Sequence, residues 1–343
     1  MQESNAAQES SIAVACLGEA LVLVSPHDAT GGSDTEHHLG GAEANVAAGL
    51  AAHGLPATWV GRVGDDEFGA LVRAELIARG VDVSAVETDP RRPTGHYSKI
   101  TVTDDAGERH TTSRYCRSGS AASAMTPEFL DSADVAAVLS RAAVVHSSGI
   151  TAALSDSCRE LMRRLLADRP GISGVVSFDV NWREQLWPDG DPRVVVELAN
   201  LADIVFVGAD EAIRVMGTDD PAELRRILPD PATLVVKDGA RRALAVDRDG
   251  GAVAVPALRV HVVEPVGAGD AFAAGYIGGV VRGDDVVGCL RRGHVGAAGA
   301  LTVVADSAPP PPDHVMRRLL DGSDRDWAAT SASAQGFSFG EGK

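Results

Sequence analysis

The residues best suited to chemistry lie in one glycine-rich block, Glu264-Pro-Val-Gly-Ala-Gly-Asp-Ala-Phe-Ala-Ala-Gly. Gly267 and Gly269 let the backbone turn tightly and approach a ligand closely. The apolar stretch from Ala271 to Val281 predicts a helix whose amino end points at the same place. Free amides and the helix dipole at that end favour an anion, so the block predicts a phosphate-binding site.

Asp270 stands at the mouth of this predicted anion site, where a carboxylate would repel a bound phosphate. The residue makes chemical sense as a base that takes a proton from a hydroxyl attacking phosphorus. A helix N-cap would require the same residue type at this position. The motif alone leaves the two interpretations evenly balanced.

A second glycine block, Leu39-Gly-Gly-Ala-Glu-Ala-Asn-Val-Ala-Ala-Gly-Leu, is followed by Val60-Gly-Arg-Val-Gly-Asp-Asp-Glu-Phe-Gly. Gly40 and Gly41 open a predicted helix that carries Asn45 on its first turns. A ligand with many hydroxyls needs donors and acceptors at fixed positions, which such a turn and an asparagine supply. A tight turn with close helix packing would use the same residues, so this block alone is weak evidence.

Short apolar runs alternate with helical patterns along the chain. The runs are continuous, as in strands covered on both faces, and they fall at Ile12–Leu17, Thr58–Val60, Val144–His146, Val175–Asp179, Ile204–Val207 and Leu234–Lys237. Helical patterns fall at Ala44–His53, Glu67–Arg79, Ser155–Ala167, Arg193–Ala199, Glu211–Met216 and Pro221–Ile227. This alternation predicts an α/β fold with a doubly wound, mostly parallel sheet and helices on both faces.

Residues 93–118 break this rhythm. Gly95–Thr103 alternates with period two, and a second polar–apolar run ends at Tyr115, which predicts a hairpin with one solvated face. We expect a small β lid, from about residues 18–38 and 93–118, over an active site at the strand carboxyl ends. The lid belongs to one domain, 11–320, between a disordered tail, 1–10, and a flexible tail, 321–343.

Composition excludes several classes of protein. The formal net charge of −17 argues against a nucleic-acid partner, because phosphate backbones need a basic surface. The longest uncharged apolar run is too short for a bilayer, and the amino end lacks a signal-peptide pattern, so we expect a cytoplasmic protein without a membrane partner. The four cysteines form no CxxC pair and should be reduced. No GxxxxGK[ST], HExxH or GxSxG motif occurs.

The two glycine blocks, in this order, resemble the two signatures of the ribokinase-like (PfkB) family of carbohydrate kinases. The resemblance covers about residues 12–315. It implies an α/β body with a β lid, ATP as the phosphoryl donor and Mg²⁺ as a helper. It also implies that Asp270 is the catalytic base and that Gly267, Ala268 and Gly269 form the anion hole.

Three further blocks resemble the 2-keto-3-deoxygluconate kinases of this family, namely Gly18-Glu19, Tyr115-Cys-Arg-Ser-Gly-Ser-Ala-Ala-Ser and Phe178-Asp-Val-Asn-Trp-Arg-Glu-Gln-Leu-Trp. Arg117 and Arg183 are natural donors for the carboxylate of such a sugar, although either could instead form a surface ion pair. The resemblance implies phosphorylation of a terminal hydroxyl, with the sugar bound by Gly41, Asn45, Tyr97, Tyr115, Arg117, Arg183, Asp270 and Asp306.

The resemblance also implies a set of nucleotide-binding residues, namely Asn181, Arg183, Gly208, Lys237, Gly239, Gly267, Gly269 and His294. Glu211 and Glu264 are the candidate Mg²⁺ ligands, since carboxylate oxygens suit that ion. Activation by a monovalent cation stays open. A homo-oligomer also stays open, because lid edges could pair between subunits.

Two alternatives remain beside the acid-sugar kinase. A fructokinase or ribokinase activity would use the same two signatures. A non-catalytic sugar sensor of the same fold is suggested by Gly208, Arg242 and His294, which depart from the residues usual in the family. The intact Gly267–Asp270 block argues against the sensor.

Overall fold

The computed structural model describes residues 13–24, 37–103, 109–187, 191–303 and 309–340. The predicted disordered segment 1–10 and the candidate sugar ligand Asp306 lie outside the described residues. Among the helices of the described ranges, none is both long and apolar enough to cross a membrane.

Strands and helices are numbered in chain order. The strands are β1 (Val14–Leu17), β2 (Leu21–Val24), β3 (His37–Gly40), β4 (Ala57–Gly64), β5 (Val86–Asp89), β6 (His96–Thr103), β7 (Arg109–Cys116), β8 (Val144–Ser148), β9 (Val175–Asp179), β10 (Ile204–Gly208), β11 (Thr233–Asp238), β12 (Arg242–Asp247), β13 (Ala252–Pro256), β14 (Arg259–Val260), β15 (Thr330–Ser333) and β16 (Gly336–Phe339). The α-helices are α1 (Ala42–Ala52), α2 (Glu67–Ala78), α3 (Ala133–Arg141), α4 (Gly149–Ala153), α5 (Asp156–Arg163), α6 (Arg193–Asn200), α7 (Ala209–Met216), α8 (Pro221–Ile227), α9 (Ala268–Arg282), α10 (Val286–Leu301), α11 (Asp313–Asp321) and α12 (Asp324–Ala329).

The central sheet has the strand order β13-β12-β11-β10-β9-β8-β1-β4-β5. In the part of this order from β11 to β5, neighbouring strands pair in parallel. The β11–β12 and β12–β13 pairs at one edge are antiparallel. Each apolar run of the sequence analysis falls within or overlaps a strand of this sheet. The predicted doubly wound α/β fold is therefore confirmed.

Both faces of the sheet are buried, as the continuous apolar strands require. Along β10, Val205 and Val207 enter one core cluster, with α5 and α6, while Phe206 enters the opposite cluster, with α9 and α10. Side chains alternate between the faces of a strand, so a strand apolar at every position needs a helix layer on each side. Each fully buried large apolar side chain contributes about 1.5–3 kcal/mol.

A second sheet, of order β3-β2-β6-β7, forms the lid. It connects to the body through the short links before β2 and β6 and after β3 and β7. Leu21, Leu23 and Tyr97 form a small apolar cluster of its own on this sheet. The described strands of this sheet lie within the ranges expected for the lid, except that β3 continues two residues further, to Gly40. Residues 25–36 and 104–108 of those expected ranges lie outside the described residues.

The carboxyl-terminal end differs from the sequence prediction. A flexible tail is expected from residue 321, but α12 and the β15–β16 hairpin occupy most of this stretch, and β15 pairs with β14. Trp327 is buried, and its indole Nε1 donates a hydrogen bond to the carbonyl of Pro256 over 2.8 Å. The prediction is corrected because one buried aromatic side chain anchors a segment whose Ser, Ala and Gly content resembles a linker.

Candidate active site

A cavity of about 780 Å³ opens at the carboxyl ends of β9, β10 and β11, facing the lid and the amino end of α9. Its lining residues are Glu19, Leu21, Gly41, Ala42, Asn45, Tyr97, Tyr115, Arg117, Ile150, Asp179, Asn181, Arg183, Gly208, Ala209, Asp210, Glu211, Lys237, Asp238, Gly239, Ala240, Arg241, Pro265, Val266, Gly267, Gly269 and Asp270. The structure thus brings together most residues chosen from the sequence, from both glycine blocks and the lid.

Asp270 lies in the first turn of α9, where Gly267 is the N-cap residue. The N-cap interpretation of Asp270 is therefore wrong. Its Oδ2 atom instead accepts a hydrogen bond of 2.9 Å from Nδ2 of Asn45, which stands on α1. This contact joins the two glycine blocks of the sequence and fixes the carboxylate at the cavity wall.

The protein around Asp270 raises the pKa of its carboxyl group to about 7. Burial is the largest cause, because desolvation disfavours the charged form. The hydrogen bond from Asn45 and the charge of Lys237 lower the pKa, whereas the carboxylates of Asp179 and Glu43 raise it. A carboxyl group with a pKa near neutrality can accept a proton in the physiological pH range.

The amino end of α9 and Lys237 form a candidate anion cradle beside this carboxylate. Gly267 has φ 82°, a left-handed conformation that favours glycine, and it directs the chain into the amino end of α9. A Cβ atom on Gly269 would lie 3.6 Å from Nζ of Lys237, so the ammonium group sits against the amide end of the helix. Unpaired helix amides and a nearby cation together favour a phosphate.

Lys237 is the cation of this cradle. Its Nζ atom lies 2.6 Å from Oδ2 of Asp179, at the end of β9. Burial opposes the charge of Lys237, but the neighbouring carboxylates of Asp179, Glu211 and Asp270 outweigh burial and raise its pKa. The ammonium group therefore stays charged at neutral pH.

Aromatic and basic side chains line the lid side of the cavity. The rings of Tyr97 and Tyr115 are stacked with centroids 5.2 Å apart, and the Arg117 guanidinium lies 4.7 Å from the centroid of the Tyr115 ring. Nε of Arg117 is 3.1 Å from Oε2 of Glu19, which is only 1% exposed. The ion pair of Arg117 is thus with a buried acid of the cavity wall rather than with a surface residue.

Two buried glutamates beside the cavity escaped the candidate set drawn from the sequence. Burial raises the pKa of Glu19 to about 7 and also raises the pKa of Glu43. Oε1 of Glu43 accepts hydrogen bonds from the hydroxyls of Ser148 at 2.6 Å and Thr151 at 2.8 Å. Glu19 directly follows Gly18, and Glu43 lies two residues after Gly41. An acidic residue close to a glycine of a predicted ligand-binding motif is the sequence feature that could have identified both.

Arg183 occupies the opposite rim of the cavity. Its Nη1 atom lies 3.3 Å from Oε1 of Glu211, and its side chain is 54% exposed. Oε2 of Glu211 accepts a hydrogen bond from the amide of Gly208. Arg183 therefore forms the exposed ion pair that was its alternative interpretation, and its side chain also lines the cavity.

A smaller apolar cavity of about 350 Å³ adjoins the first and shares Lys237, Gly239 and Gly269 with it. Its apolar wall is formed by Ala257, Leu258, Val260, Val262, Ala268, Phe272, Ala297, Ala298 and Leu301. His294 closes one side and donates a hydrogen bond of 3.0 Å from Nε2 to the carbonyl of Val255. Burial lowers the pKa of His294 to about 4, so the imidazole is neutral at physiological pH.

The predicted residues do not all meet in one place. Ala268 and His294 line the smaller cavity only, and Glu264 lines neither of the two cavities. The Glu264 carboxylate accepts a hydrogen bond from the amide of Val266. In the described ranges, no cluster of three or more His, Cys, Asp or Glu side chains is arranged to hold a metal ion.

Comparison with known proteins identifies the family of this chain. Residues 12–313 match the pfkB family of carbohydrate kinases. The chain therefore belongs to this family, and it is a phosphotransferase that acts on carbohydrates.

Similar proteins of known name point to one branch of that family. The chain is 34% identical over 320 residues to 2-dehydro-3-deoxygluconokinase of Thermoproteus tenax, covering 91% of this chain and 95% of that protein. It is 30% identical to 2-dehydro-3-deoxygalactonokinase of Haloferax volcanii, covering 89% and 96% respectively. Among solved structures, a PfkB protein from Polaromonas sp. JS666 is 32% identical with a TM-score of 0.74, covering 86% of this chain and 97% of that one.

Proposed function

We propose that this protein transfers the γ-phosphoryl group of ATP to the terminal hydroxyl of 2-keto-3-deoxygluconate, which is the compound also called 2-dehydro-3-deoxygluconate. The observation that carries the proposal is the position of Asp270. Its carboxylate lies in the first turn of α9, on the wall of the polar cavity that also contains Arg117, and an apolar cavity adjoins that polar cavity. The relatives named 2-dehydro-3-deoxygluconokinase support the choice of sugar.

The lid side of the larger cavity suits an acid sugar. Arg117 supplies a guanidinium group for the sugar carboxylate, and charge-assisted hydrogen bonds of this kind are strong. Tyr97 and Tyr115 offer ring faces against which the carbon chain can pack. Asn45 and the backbone turn at Gly41 then hold hydroxyls at the end of the sugar that faces Asp270.

The nucleotide would occupy both cavities. An apolar slot formed by Leu258, Val260 and Phe272 suits the flat base of ATP, which stacks against such surfaces. The phosphates would then pass Lys237 and reach the amides of residues 267–269. This path places the γ-phosphorus beside the Asp270 carboxylate.

Each reacting group has a partner in the site. The oxygen of the sugar hydroxyl forms a bond to the γ-phosphorus, and Asp270 accepts the proton of that hydroxyl. The bond between the γ-phosphorus and the oxygen of the leaving ADP breaks in the same step. The amide cradle and Lys237 stabilise the negative charge of the transferring group. Closure of the lid excludes water, which would otherwise compete with the sugar as acceptor.

The residues at the phosphate end are compatible with Mg²⁺ carried on the nucleotide. Oδ1 of Asp179 is buried without a hydrogen-bond partner, and the Glu211 carboxylate faces the same cavity. Mg²⁺ is commonly held by one or two carboxylates, waters and substrate phosphates rather than by a full protein cage. Asp179 and Glu211 would hold the ion, which supplies positive charge to the phosphates.

The proposal is tested by a panel of acceptors in an ATP-consumption assay. The panel contains 2-keto-3-deoxygluconate, 2-keto-3-deoxygalactonate, fructose and ribose. We expect kcat/KM for one of the keto-deoxy acids to exceed that for either neutral sugar by roughly 10- to 100-fold, because one charged hydrogen-bond pair discriminates to this degree. Faster phosphorylation of fructose or ribose would reject the acid sugar, and no ATP use with any acceptor would favour a sensor.

The pH dependence of turnover follows from the raised pKa of Asp270. Only the ionised carboxylate can accept a proton, so kcat/KM should rise about tenfold per pH unit below pH 7 and level off above it. Initial rates from pH 5.5 to 9, at saturating ATP, measure this profile. Glu19→Gln is the control, because Glu19 has a pKa in the same range and its removal should leave the rise in place. A flat profile across pH 6 to 8 contradicts the assignment of the base.

A further inference from the structure

The family match ends at residue 313, and the chain beyond it folds back onto the body. We call α11, α12, β15 and β16, residues 313–340, the C-terminal segment. Its side chains Met316, Leu319, Trp327 and Ala332 are buried in the same core cluster as α9 and α10. The C-terminal segment is therefore packed against the helices that border the apolar cavity.

The C-terminal segment is bonded to one wall of that cavity. This wall, residues 256–262, supplies Ala257, Leu258, Val260 and Val262 to the cavity, and we call it the base wall. Trp327 Nε1 donates to the carbonyl of Pro256 over 2.8 Å, and the amide of His261 donates to the carbonyl of Ala332 over 3.0 Å. Arg259 Nη2 also donates to the carbonyl of Ala328 over 3.1 Å, and β14 of the base wall pairs with β15.

The same tryptophan reaches the opposite wall of the cavity. The Trp327 ring lies 6.2 Å from the ring of His294, measured between centroids, and His294 lines the apolar cavity from α10. Arg291, one turn earlier on α10, lies 5.2 Å from the centroid of the Trp327 ring. Its Nη1 donates to the carbonyls of Leu320 and Gly322, and its Nη2 contacts Asp324. Trp327 thus ties the base wall to α10.

Pro256, the first residue of the base wall, is also the last residue of β13 and pairs with β12, but the rest of the base wall has few backbone bonds to the body. The amide of Ala257 donates to the carbonyl of Arg241, and just past the wall the amide of Val263 donates to the carbonyl of Leu301. Between Ala257 and Val263, the hydrogen bonds and strand pairing that the structure describes for the wall lead to the C-terminal segment. The C-terminal segment therefore supplies hydrogen bonds to a part of the base wall that the body does not hold.

We propose that the C-terminal segment is a positioning element for the nucleotide, and that Trp327 holds the base wall in the arrangement that receives the base. The inference rests on the proposed function, since it takes the apolar cavity as the site of the base. A wall that is ordered before binding spares the nucleotide the entropy loss of ordering it. The C-terminal segment should therefore affect nucleotide affinity and leave sugar affinity unchanged.

The test is Trp327→Phe, which keeps most of the ring and removes the donor to Pro256. We expect the Kd for ADP, measured by calorimetry, and the KM for ATP to rise roughly three- to tenfold, the usual effect of one lost hydrogen bond. The KM for the sugar and kcat should stay within about twofold, because the bond acts through the base wall alone. Equal increases in the KM for ATP and for the sugar would overturn the proposal.

Two further variants separate positioning from a general loss of stability. Trp59→Phe is the matched control, because Trp59 is fully buried in the same core cluster and lines neither cavity. Trp59→Phe should lower Tm about as much as Trp327→Phe does, and it should leave the Kd for ADP unchanged. Arg259→Ala removes an exposed side chain, so folding should persist, and the Kd for ADP should rise about twofold.

Failure of the positioning role and failure of the proposed function give different results. Failure of wild-type protein to phosphorylate any keto-deoxy acid rejects the proposed sugar, while the Kd for ADP is still measured without turnover. An unchanged Kd for ADP in Trp327→Phe, at a lowered Tm, overturns the positioning role. Wild-type protein that does not bind ADP overturns it as well.

Discussion

Asp270→Asn is expected to lower kcat by about 10²–10⁴-fold, the usual contribution of a positioned general base. Asparagine has the shape of aspartate, and its carbonyl oxygen can still accept the hydrogen bond from Asn45. The KM for the sugar should therefore change by less than about threefold. Steady-state kinetics with 2-keto-3-deoxygluconate and ATP measure both constants. A kcat within about tenfold of wild type would remove Asp270 from the chemistry.

Thermal unfolding shows whether such a loss has a structural cause. Because the folded-state pKa of Asp270 is raised, its favourable contribution to folding is present at low pH and is lost as the pH rises through about 7. Asp270→Asn removes an unfavourable buried charge, so its Tm at pH 8 should equal or exceed that of wild type. Asp131→Asn, in an exposed ion pair with Arg164, is the surface control and should keep full activity.

Arg117→Ala is expected to lower kcat/KM for 2-keto-3-deoxygluconate by roughly 10- to 100-fold, as loss of a charged hydrogen-bond donor does. The loss for fructose should stay below about threefold, because a neutral sugar offers the guanidinium no carboxylate. The ratio of the two losses is the measured quantity. Equal losses for acid and neutral sugars would count against contact with a carboxylate.

A second variant removes the main complication of this experiment. Arg117→Ala leaves Glu19 buried without its cation, and an unpaired buried charge destabilises the fold. The double variant Glu19→Gln with Arg117→Ala contains neither charge. It should recover Tm relative to the single variant and still discriminate against the acid sugar. Full recovery of acid-sugar activity would indicate that Arg117 only neutralises Glu19.

The sequence predicted the body of the fold because its signals are local. A strand such as Ile204–Gly208 is apolar at every position, and the helix patterns on either side follow from spacing alone. The glycine turn before Asp270 was also visible, since the backbone conformation of Gly267 depends on residue type. Local patterns of this kind do not depend on distant partners.

Partners distant in sequence could not be predicted in the same way. The contact of Asn45 with Asp270 and the pairing of Arg117 with Glu19 depend on how the lid and the body are joined. The folding of residues 323–340 depends on a pocket for Trp327 formed by α10 and the base wall. The two glycine blocks predicted a ligand site but not which acids would be buried in its walls.

The central claim is that the chain transfers a phosphoryl group from ATP to one hydroxyl of an acid sugar. Its most direct test is ³¹P NMR of wild-type protein incubated with ATP, Mg²⁺ and an equimolar amount of 2-keto-3-deoxygluconate. We predict one ADP for each new phosphomonoester, with coupling to the protons of the terminal carbon. Release of inorganic phosphate at a rate that does not change when the sugar is added, with no phosphomonoester formed, would contradict the account.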